Sequence, residues 1–447
     1  TKVTWSSSDT SIVEVSDSGI ITAKAVGNAV ITVTATDGNG ASAQSNITVT
    51  DGTVDNPDTV KVEYSKAKTN VLSYLKKTVA NPTIGSTGGE WSVLSLARGG
   101  VKDVAWYRSY YQEVEKQVGN KGNKLSETRS TENSRVIIGL TSIGANPADV
   151  EGCNLLVPLA DFDYVVQQGL NGAVYALIAV DSGKYEIPQV DGVENQTTRE
   201  SLIAYILNRQ TADGGWGYSD PATDPNATSD IDMTAMTIQA LAPYYNADKN
   251  VKKAVKKAIS LLSGLQGEDG LYTSVFEWDG VTYTNTSSES CSQVICALAS
   301  LGIDADTDSR FIKNGTSLLD ALLSYYDKVS GGFKHSQEDT EVPNLMATEQ
   351  AAYTLAAYDR LQNGQSGLYE MSDAVCLYEC PKNGHDWDGG KITKAATEQA
   401  TGIKTYTCKA CGETKEEVIP KLEPKPATTE QATTTAPTTE VPTTQHE

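Results

Sequence analysis

A repeated unit in the second half of the chain constrains the fold more than any other feature. Each copy is a turn that ends in an aromatic residue, followed by a helical pattern with an acidic residue near its start. The aromatic residues of the copies are Trp216, Tyr272 and Phe333. The acidic residues are Asp232, Glu289 and Glu349. Since both sets recur at a spacing of about 60 residues, the sequence indicates a repeat architecture.

Helical periodicity extends this pattern toward the N-terminus. Apolar residues recur at three- and four-residue steps, as at Leu202, Tyr205 and Ile206. Reading back from the three copies predicts six pairs of helices. The second helix of each pair is apolar on most sides and is predicted to be buried, whereas the first helix is predicted to have one solvent-exposed face. The third pair is predicted at 158–169 and 172–181, and the sixth at 309–327 and 345–362.

The turn Gln210-Thr-Ala-Asp-Gly-Gly-Trp216 resembles the QW-type repeat of the squalene cyclase and protein prenyltransferase superfamily. The resemblance covers residues 53–372 and implies an α/α toroid, in which inner and outer helices alternate along the chain. The predicted fold class is therefore mainly α, with a β-sandwich at the N-terminus and a small module at the C-terminus. Such a resemblance predicts a fold far better than a function.

Residues 1–52 carry the pattern of an all-β domain. Runs of alternating β-branched residues, such as 29–35, are separated by Asp, Gly and Asn. The segments Thr4-Trp-Ser-Ser-Ser-Asp9 and Gly27-Asn-Ala-Val-Ile-Thr-Val33 resemble the bacterial immunoglobulin-like domain of group 2. The first strand of that domain type is missing, so we expect the native chain to begin earlier.

Cysteine and histidine residues mark a third region, 376–420. Cys380 and His385 form one close pair, and Cys408 and Cys411 form a second that is followed by a glycine. Three thiolates and one imidazole suit a structural Zn²⁺ with tetrahedral coordination. A disulfide between two of these cysteines is the alternative.

The first zinc ligand has a second candidate, because Cys376 lies four residues before Cys380. The region resembles the zinc-ribbon-like repeats of surface proteins in Gram-positive bacteria. It is too short to fold around a core of its own, so it requires a metal ion or a crosslink.

The remaining chain and the overall charge point to an exported protein. Residues 421–447 are mostly Thr, Pro, Glu, Ala and Gln, which predicts a disordered stalk or linker. The net charge of −21 excludes nucleic acid as a partner. No apolar run is long enough to span a membrane. We therefore expect a protein of a Gram-positive cell surface, attached to the cell wall or to a larger surface chain.

Acidic residues near the starts of the inner helices are the candidate site. Asp230, Asp232, Glu289, Glu349 and Glu132 all lie in such positions. In a toroid these helix ends gather at one mouth, so we expect an acidic collar there. The alternative is that the acids only cap their helices and complement the helix dipoles.

The resemblance to class II terpene cyclases suggests a role for two of these acids. Those enzymes carry Asp-x-Asp-Asp-Thr-Ala, whose middle aspartate protonates an alkene or epoxide. This chain has Asp230-Ile-Asp232-Met233-Thr234-Ala235, so the third aspartate is replaced by Met. The resemblance implies Asp232 as general acid with Asp230 as its neighbour. The Asp-x-Cys and His ligands of the prenyltransferase zinc are not reproduced, so no catalytic zinc is expected in the ring.

Aromatic residues beside the predicted mouth are further candidates for ligand contact. They are Tyr218, Trp278 and Tyr283, of which the last two lie in a predicted β-hairpin that could cover the mouth. The oxygen-rich loop 213–226 could bind Ca²⁺, or it could be a simple connection between helices.

These observations favour a non-catalytic surface protein whose toroid binds a glycan, a glycoprotein or a small polar ligand. One alternative is an acid-catalysing enzyme that uses Asp232, with terpene-cyclase-like chemistry among its options. Another is a cobalamin-carrier-like binding role. The burial of Asp232 discriminates between them, because an enzyme needs this acid in a buried chamber.

Overall fold

The computed structural model describes residues 3–36, 40–49, 63–278, 281–339, 343–380, 385–409 and 412–423, without the side chains of 276–283. The chain divides into two compact units, Thr1–Val62 and Glu63–Glu447. No helix in these described ranges combines the length and the apolar character that crossing a bilayer requires.

The first unit is built from β-strands. Its strands are β1 (Val3–Ser7), β2 (Val13–Val15), β3 (Ile21–Ala23), β4 (Gly27–Ala35) and β5 (Ser42–Val49). The strands β1, β4 and β5 form an antiparallel sheet in that order, and β2 pairs with β3. Val13, Ala29 and Ile31 are buried, and Trp5 and Ile47 pack against them. Alternating residues of β4 thus supply the core, as the period-2 pattern predicts.

The second unit is mainly helical. In its described part the helices are α1 (Tyr64–Thr78), α2 (Glu90–Arg98), α3 (Val104–Lys121), α4 (Ser130–Ser142), α5 (Phe162–Val166), α6 (Gly169–Ser182), α7 (Arg199–Asn208), α8 (Ile231–Leu241), α9 (Lys249–Leu265), α10 (Ser288–Ser300), α11 (Leu318–Leu323) and α12 (Leu345–Gln362). Its strands are β6 (Thr273–Trp278), β7 (Val281–Thr286), β8 (Ile312–Lys313), β9 (Thr316–Ser317), β10 (Lys391–Lys394), β11 (Gly402–Thr407) and β12 (Thr414–Ile419).

The even-numbered helices pack side by side in a closed cycle. Each contacts the next, from α2 to α12, and α12 returns to contact α2. These inner helices are buried on most sides and carry many small residues, such as Ala351 and Ala352, which allow close approach. The outer helix α9 instead buries one stripe that includes Val255 and exposes its lysines. A helix in the inner layer is therefore buried on most sides, whereas a helix in the outer layer is buried along one stripe only.

Two predicted outer helices are shorter than the sequence pattern indicated. The outer helix of the third predicted pair is α5, which is preceded by a 3-10 turn at Val157–Ala160. The outer helix of the sixth predicted pair is α11, which is preceded by the small hairpin β8–β9. Asn314 and Gly315 have φ angles of 47° and 83°, which suit a tight hairpin turn and interrupt a helix. Cys153 lies in a turn before α5 and is half-buried.

The repeated turn explains how each inner helix is attached. Trp216 is fully buried, and its indole Nε1 donates to the Ile206 carbonyl at 2.8 Å. The amide of Gln210 donates to the carbonyls of Gly214 and Ala254, at 2.8 and 2.9 Å. One side chain therefore joins the end of α7, the turn and the next outer helix, α9.

A threonine connects the same turn to the inner helix. The Thr234 hydroxyl accepts from the Trp216 backbone N–H at 2.9 Å and donates to the Trp216 carbonyl at 3.0 Å. Thr348 makes the equivalent two contacts to Phe333, at 2.9 and 3.2 Å. The start of each of these inner helices is thereby held next to its aromatic turn.

A segment that we call the strap, residues 363–378, follows α12 and lies against the C-terminal ends of inner helices. The Met371 N–H donates to the Ser182 carbonyl, and the Leu377 N–H donates to the Ile143 carbonyl, both at 2.9 Å. Asp373 of the strap pairs with Arg98 at 2.7 Å and also with Arg360. Beyond the strap, β10, β11 and β12 form a small antiparallel sheet.

Replacing Trp216 tests the structural role of the aromatic turn. Trp216→Ala removes a fully buried side chain, so we expect a loss of about 4 kcal/mol in the free energy of unfolding. Tyr218→Ala removes an exposed neighbour and should change that energy by less than about 0.5 kcal/mol. Urea denaturation of both variants measures the difference in the free energy of unfolding, and equal effects would contradict the structural role of Trp216.

Candidate active site

The helix caps are supplied by residues other than most of the predicted acids. Asp230 caps α8 by accepting from the Met233 N–H at 2.8 Å. Ser287 caps α10, and Asn344 caps α12. The capping alternative therefore accounts for Asp230, whereas Asp232, Glu289 and Glu349 lie inside their helices with their carboxyl groups directed elsewhere.

Asp232 holds a buried carboxyl oxygen without a local partner. Among the described residues nothing hydrogen-bonds its Oδ1, which is inaccessible to solvent. Burial raises the pKa of Asp232 to about 6, the negative charge of Asp230 adds to the rise, the Ser290 side chain opposes it, and Glu289 adds a smaller increase. A carboxylic acid that keeps its proton close to neutral pH can serve as a proton donor.

Glu289 forms a dyad with a histidine that the sequence analysis did not select. His335 Nδ1 lies 2.9 and 3.0 Å from the two carboxylate oxygens of Glu289. Glu289 is buried, and the side chain of His335 is one-third exposed. The Ser288 N–H donates to the His335 carbonyl at 3.0 Å, which fixes this loop against the start of α10.

The loop position of His335 concealed its role. It follows the Gly-Gly-Phe turn of the last repeat, in a segment between two predicted helices. The available signal was chemical, because of the three histidines only His335 lies within the predicted toroid. The turn of one repeat contacts the inner helix of the preceding repeat, and this contact brings His335 to Glu289.

Glu349 is buried between α2 and α12, not at an exposed mouth. It is 1% exposed, and its Oε1 accepts from the Ser92 hydroxyl at 2.5 Å and from the Gly88 N–H at 3.0 Å. Its Oε2 has no hydrogen-bond partner in the described part of the chain. Burial raises the pKa of Glu349 to about 7, and the charge of Glu90 acts in the same direction.

Glu132 belongs to an ion-pair network instead of a ligand-binding surface. Its carboxylate lies 2.5 Å from Arg135 and 3.2 Å from Arg129. Arg135 also pairs at 2.7 Å with Glu90, which is fully buried. The expected collar of similar acids is therefore replaced by acids that each have a different environment.

Amide and aromatic side chains line the interior of the ring. The Gln293 amide donates to Gln350 at 2.8 Å and to the Tyr353 hydroxyl at 2.6 Å, and Gln239 donates to Gln293 at 3.1 Å. The Trp91 ring contacts Tyr175 and Tyr353, at centroid distances of 5.7 and 6.0 Å. This interior can hydrogen-bond hydroxyl groups and can stack against flat apolar faces.

The other residues predicted to contact a ligand or a Ca²⁺ ion are described only in part. Tyr218 is 79% exposed, and the side chains of Trp278 and Tyr283 lie outside the described residues. In the loop 213–226, Asp213 accepts from Thr211 and Ser229. These hydrogen bonds favour the alternative of a connecting loop over a Ca²⁺ site.

The C-terminal module brings three of the four predicted metal ligands together. The ligand atoms of Cys380, His385 and Cys408 all lie within 4.8 Å of one another. Cys411 lies outside the described residues. The sulfur atoms of Cys380 and Cys408 are 3.7 Å apart, much longer than a disulfide bond of about 2.05 Å. Cys376 is exposed and is not part of this group.

Comparison with known proteins identifies one part of the chain. Residues 1–45 match the family described as bacterial Ig-like domain (group 2), so the N-terminal prediction is confirmed. No curated protein matches the sequence. A solved structure that matches is the crystal structure of a family 76 glycoside hydrolase from a bovine Bacteroides thetaiotaomicron strain. It has 11% identity, covers 75% of this chain and 85% of that chain, and has a TM-score of 0.38.

The prediction of a non-catalytic binding module is wrong. The matching solved structure is that of an enzyme, although a TM-score of 0.38 assigns no activity to this chain. Within the chain, one carboxyl oxygen of Asp232 is inaccessible to solvent and has no hydrogen-bond partner among the described residues. The cobalamin-carrier alternative is also non-catalytic and is withdrawn with it.

The buried acid Glu349 predicts a pH dependence of stability. Because its pKa rises from 4.5 to about 7 on folding, the folded chain binds the extra proton between these pH values, and stability falls as pH increases through them. The fall should approach about 3 kcal/mol. Glu349→Gln should remove it, while the exposed control Glu194→Gln should keep it. Urea denaturation at pH 4.5 to 7.5 measures the effect, and an unchanged slope in Glu349→Gln would refute it.

Proposed function

We propose that the closed cycle of inner helices is an α/α toroid of the squalene cyclase type. We also propose that an acid–base active site lies where the N-terminal ends of these inner helices come together. The observation that carries this proposal is the buried, unpartnered oxygen of Asp232 near a carboxylate–histidine dyad. The reaction is the hydrolysis of a glycosidic bond in a neutral extracellular glycan.

Asp232 is the general acid. Its raised pKa keeps a large fraction of the carboxyl protonated at mildly acidic pH. The proton passes to the bridging oxygen of the substrate as the bond between that oxygen and the anomeric carbon breaks. Asp230 supports this role, because its negative charge disfavours ionisation of Asp232.

The Glu289–His335 dyad is the general base. Hydrogen bonding to the Glu289 carboxylate places the proton of the neutral imidazole on Nδ1. The lone pair on Nε2 then accepts a proton from the attacking water, and the Glu289 carboxylate stabilises the imidazolium that forms. Two titratable groups whose environments differ in this way divide the acid and base roles between them.

A neutral, hydroxyl-rich substrate suits the chemistry of the amide and aromatic side chains that face one another between the inner helices. Gln293 and Gln350 offer carboxamide groups, which donate to and accept from hydroxyls. The rings of Trp91 and Tyr175 can stack against the apolar face of a sugar. Tyr218 is exposed beside this end of the ring and can extend the contact to a longer chain.

A second candidate reaction is the protonation of an alkene by Asp232, as in the terpene cyclases. The contact of Trp91 with Tyr175 and Tyr353 favours it, because aromatic faces stabilise cations. The amide groups beside these rings favour the glycan instead, because carboxamides can also donate to and accept from hydroxyl groups, which an apolar substrate lacks.

The C-terminal module is proposed as a structural zinc site with Cys380, His385, Cys408 and Cys411 as ligands. Two thiolates bound to one tetrahedral Zn²⁺ lie about 3.8 Å apart, and the sulfur atoms of Cys380 and Cys408 are 3.7 Å apart. Four protein ligands leave no position for a substrate, so this metal stabilises the module and takes no part in the reaction.

A location at the surface of a Gram-positive cell is also proposed. Bacterial Ig-like domains of group 2 are typical of surface proteins, and the N-terminal residues match that family. At such a surface the substrate would be a glycan of the cell wall or of the surroundings.

Activity assays on substituted enzymes test the catalytic proposal. Asp232→Asn should lower kcat by about 10²- to 10⁴-fold on a neutral polysaccharide, measured as the release of reducing ends. The rate of the unsubstituted enzyme should fall as pH rises above about 6, because Asp232 then loses its proton. His335→Ala should lower kcat by a similar factor without altering that limb of the profile.

Asp230→Asn provides the matched comparison for these variants. Asparagine caps a helix as well as aspartate does, so the fold is kept. Losing the negative charge should move the fall in rate to lower pH, while the activity at pH 4.5 remains. A wild-type chain that hydrolyses no member of a neutral glycan panel would contradict the proposal. Conversion of a polyprenyl compound in the same assay would support the second candidate.

Metal analysis tests the C-terminal module. The purified full chain should contain one Zn²⁺, and Cys408→Ser should lose most of it because a thiolate ligand is removed. Cys376→Ser should retain the metal, since Cys376 lies outside the ligand group. Mass spectrometry of the intact chain reveals the alternative, because a disulfide would lower the mass by about 2 Da.

A further inference from the structure

A cavity of 580 Å³ lies at the C-terminal end of the inner helices, opposite the end that carries Asp232. Its walls come from α6, α8, α10 and α12 and from the strap. Small and aliphatic residues form much of this lining, among them Ile178, Ala240, Ala299, Ala357 and Leu368. Both the volume and the apolar lining are typical of small-molecule sites.

The strap supplies one wall of this cavity. Gln365, Gly367, Leu368, Tyr369 and Glu370 of the strap all face it. The backbone carbonyls of Gly367 and Glu370 accept from the buried Arg98 at 2.7 and 3.0 Å, so this wall is held in place. A fixed wall preserves the cavity and reduces the ordering cost of ligand binding.

Several polar groups of the cavity are uncharged near neutral pH. They include Gln239, Cys296 and Tyr369. Burial raises the pKa of Cys296 to about 12 and that of Tyr369 well above its usual value. The thiol and the phenol therefore keep their protons and can donate hydrogen bonds.

The charged groups of the cavity are engaged with protein partners. Asp181 accepts from Arg199 and from the Tyr244 hydroxyl, both at 2.7 Å. Lys184 lies 3.9 Å from Glu370 at the outer edge. A charged ligand would have to break these pairs or remain unpaired in an apolar site, which is costly.

We propose that this cavity is a second binding site and that its ligand is an uncharged, mainly apolar small molecule. The body of the ligand packs between α8, α10 and α12, and one polar group at its inner end hydrogen-bonds to Gln239 or Tyr369. The site is separate from the proposed hydrolysis, because none of its lining residues belongs to the catalytic groups at the other end of the ring.

Titration of the full chain with the neutral dye Nile red tests this site. We expect saturable binding to one site, with the increase in fluorescence that accompanies transfer to an apolar environment. Ala299→Phe places a ring inside the cavity and should weaken binding at least tenfold. Ser300→Phe is a second filling variant at a more exposed position, with less effect on folding, and should weaken binding in the same direction.

Two control variants separate this proposal from the catalytic one. Ala247→Phe places the same ring at an exposed position outside the cavity and should bind the dye as the unsubstituted chain does. Asp232→Asn should also bind normally even though it loses hydrolysis. Circular dichroism confirms that each variant is folded. Nile red binding that is absent, or unaffected by both filling variants, would overturn the proposal whatever the hydrolysis assays show.

Discussion

The attachment of each inner helix to the turn before it is the interaction on which the helical unit depends. At the first copy, Gln210 joins the turn to the next outer helix, Trp216 fills the core, and Thr234 holds the start of α8. The last copy repeats the threonine contact at Thr348. Helices held in this way begin at the same end of the ring. Their first turns, with the acidic residues that favour helix N-termini, therefore come close to one another.

Proximity alone does not give the acids similar properties, because each meets a different neighbour. Burial, together with the nearby charges of Asp230 and Glu289, disfavours the ionisation of Asp232. Glu289 meets His335 from a loop of the following repeat. Glu349 is enclosed by Ser92 and Gly88 of the first pair, where the cycle of helices closes. The proposed division into acid, base and structural roles follows from these partners and not from the acids themselves.

The two ends of the ring differ in charge because different groups lie at the N-terminal and C-terminal ends of the inner helices. The N-terminal ends of the inner helices carry carboxyl groups, whereas the C-terminal ends meet the strap, which is held by Arg98 and Arg360 through Asp373. The strap thus forms one wall of a cavity whose lining is mostly apolar. One scaffold therefore presents carboxyl groups at one end, where we propose acid–base chemistry, and a mainly apolar cavity at the other, where we propose binding.

The sequence by itself determined the helical repeats, the N-terminal Ig-like strands and the three candidate metal ligands that cluster in the described residues, because local periodicity and short motifs encode them. It also identified Asp232 as the acid to follow. It misjudged α11, where Asn314-Gly315 turns the chain within an otherwise helical pattern.

Only the tertiary structure decided which acids are paired, buried or unpartnered. The pairing of His335 with Glu289 joins residues 46 positions apart, and Glu349 meets Ser92 across 257 positions. No periodicity records such contacts, since they arise when one repeat packs on another and when the last inner helix closes on the first. The pKa of a carboxyl group depends on burial and on nearby charges, and both are set by this packing.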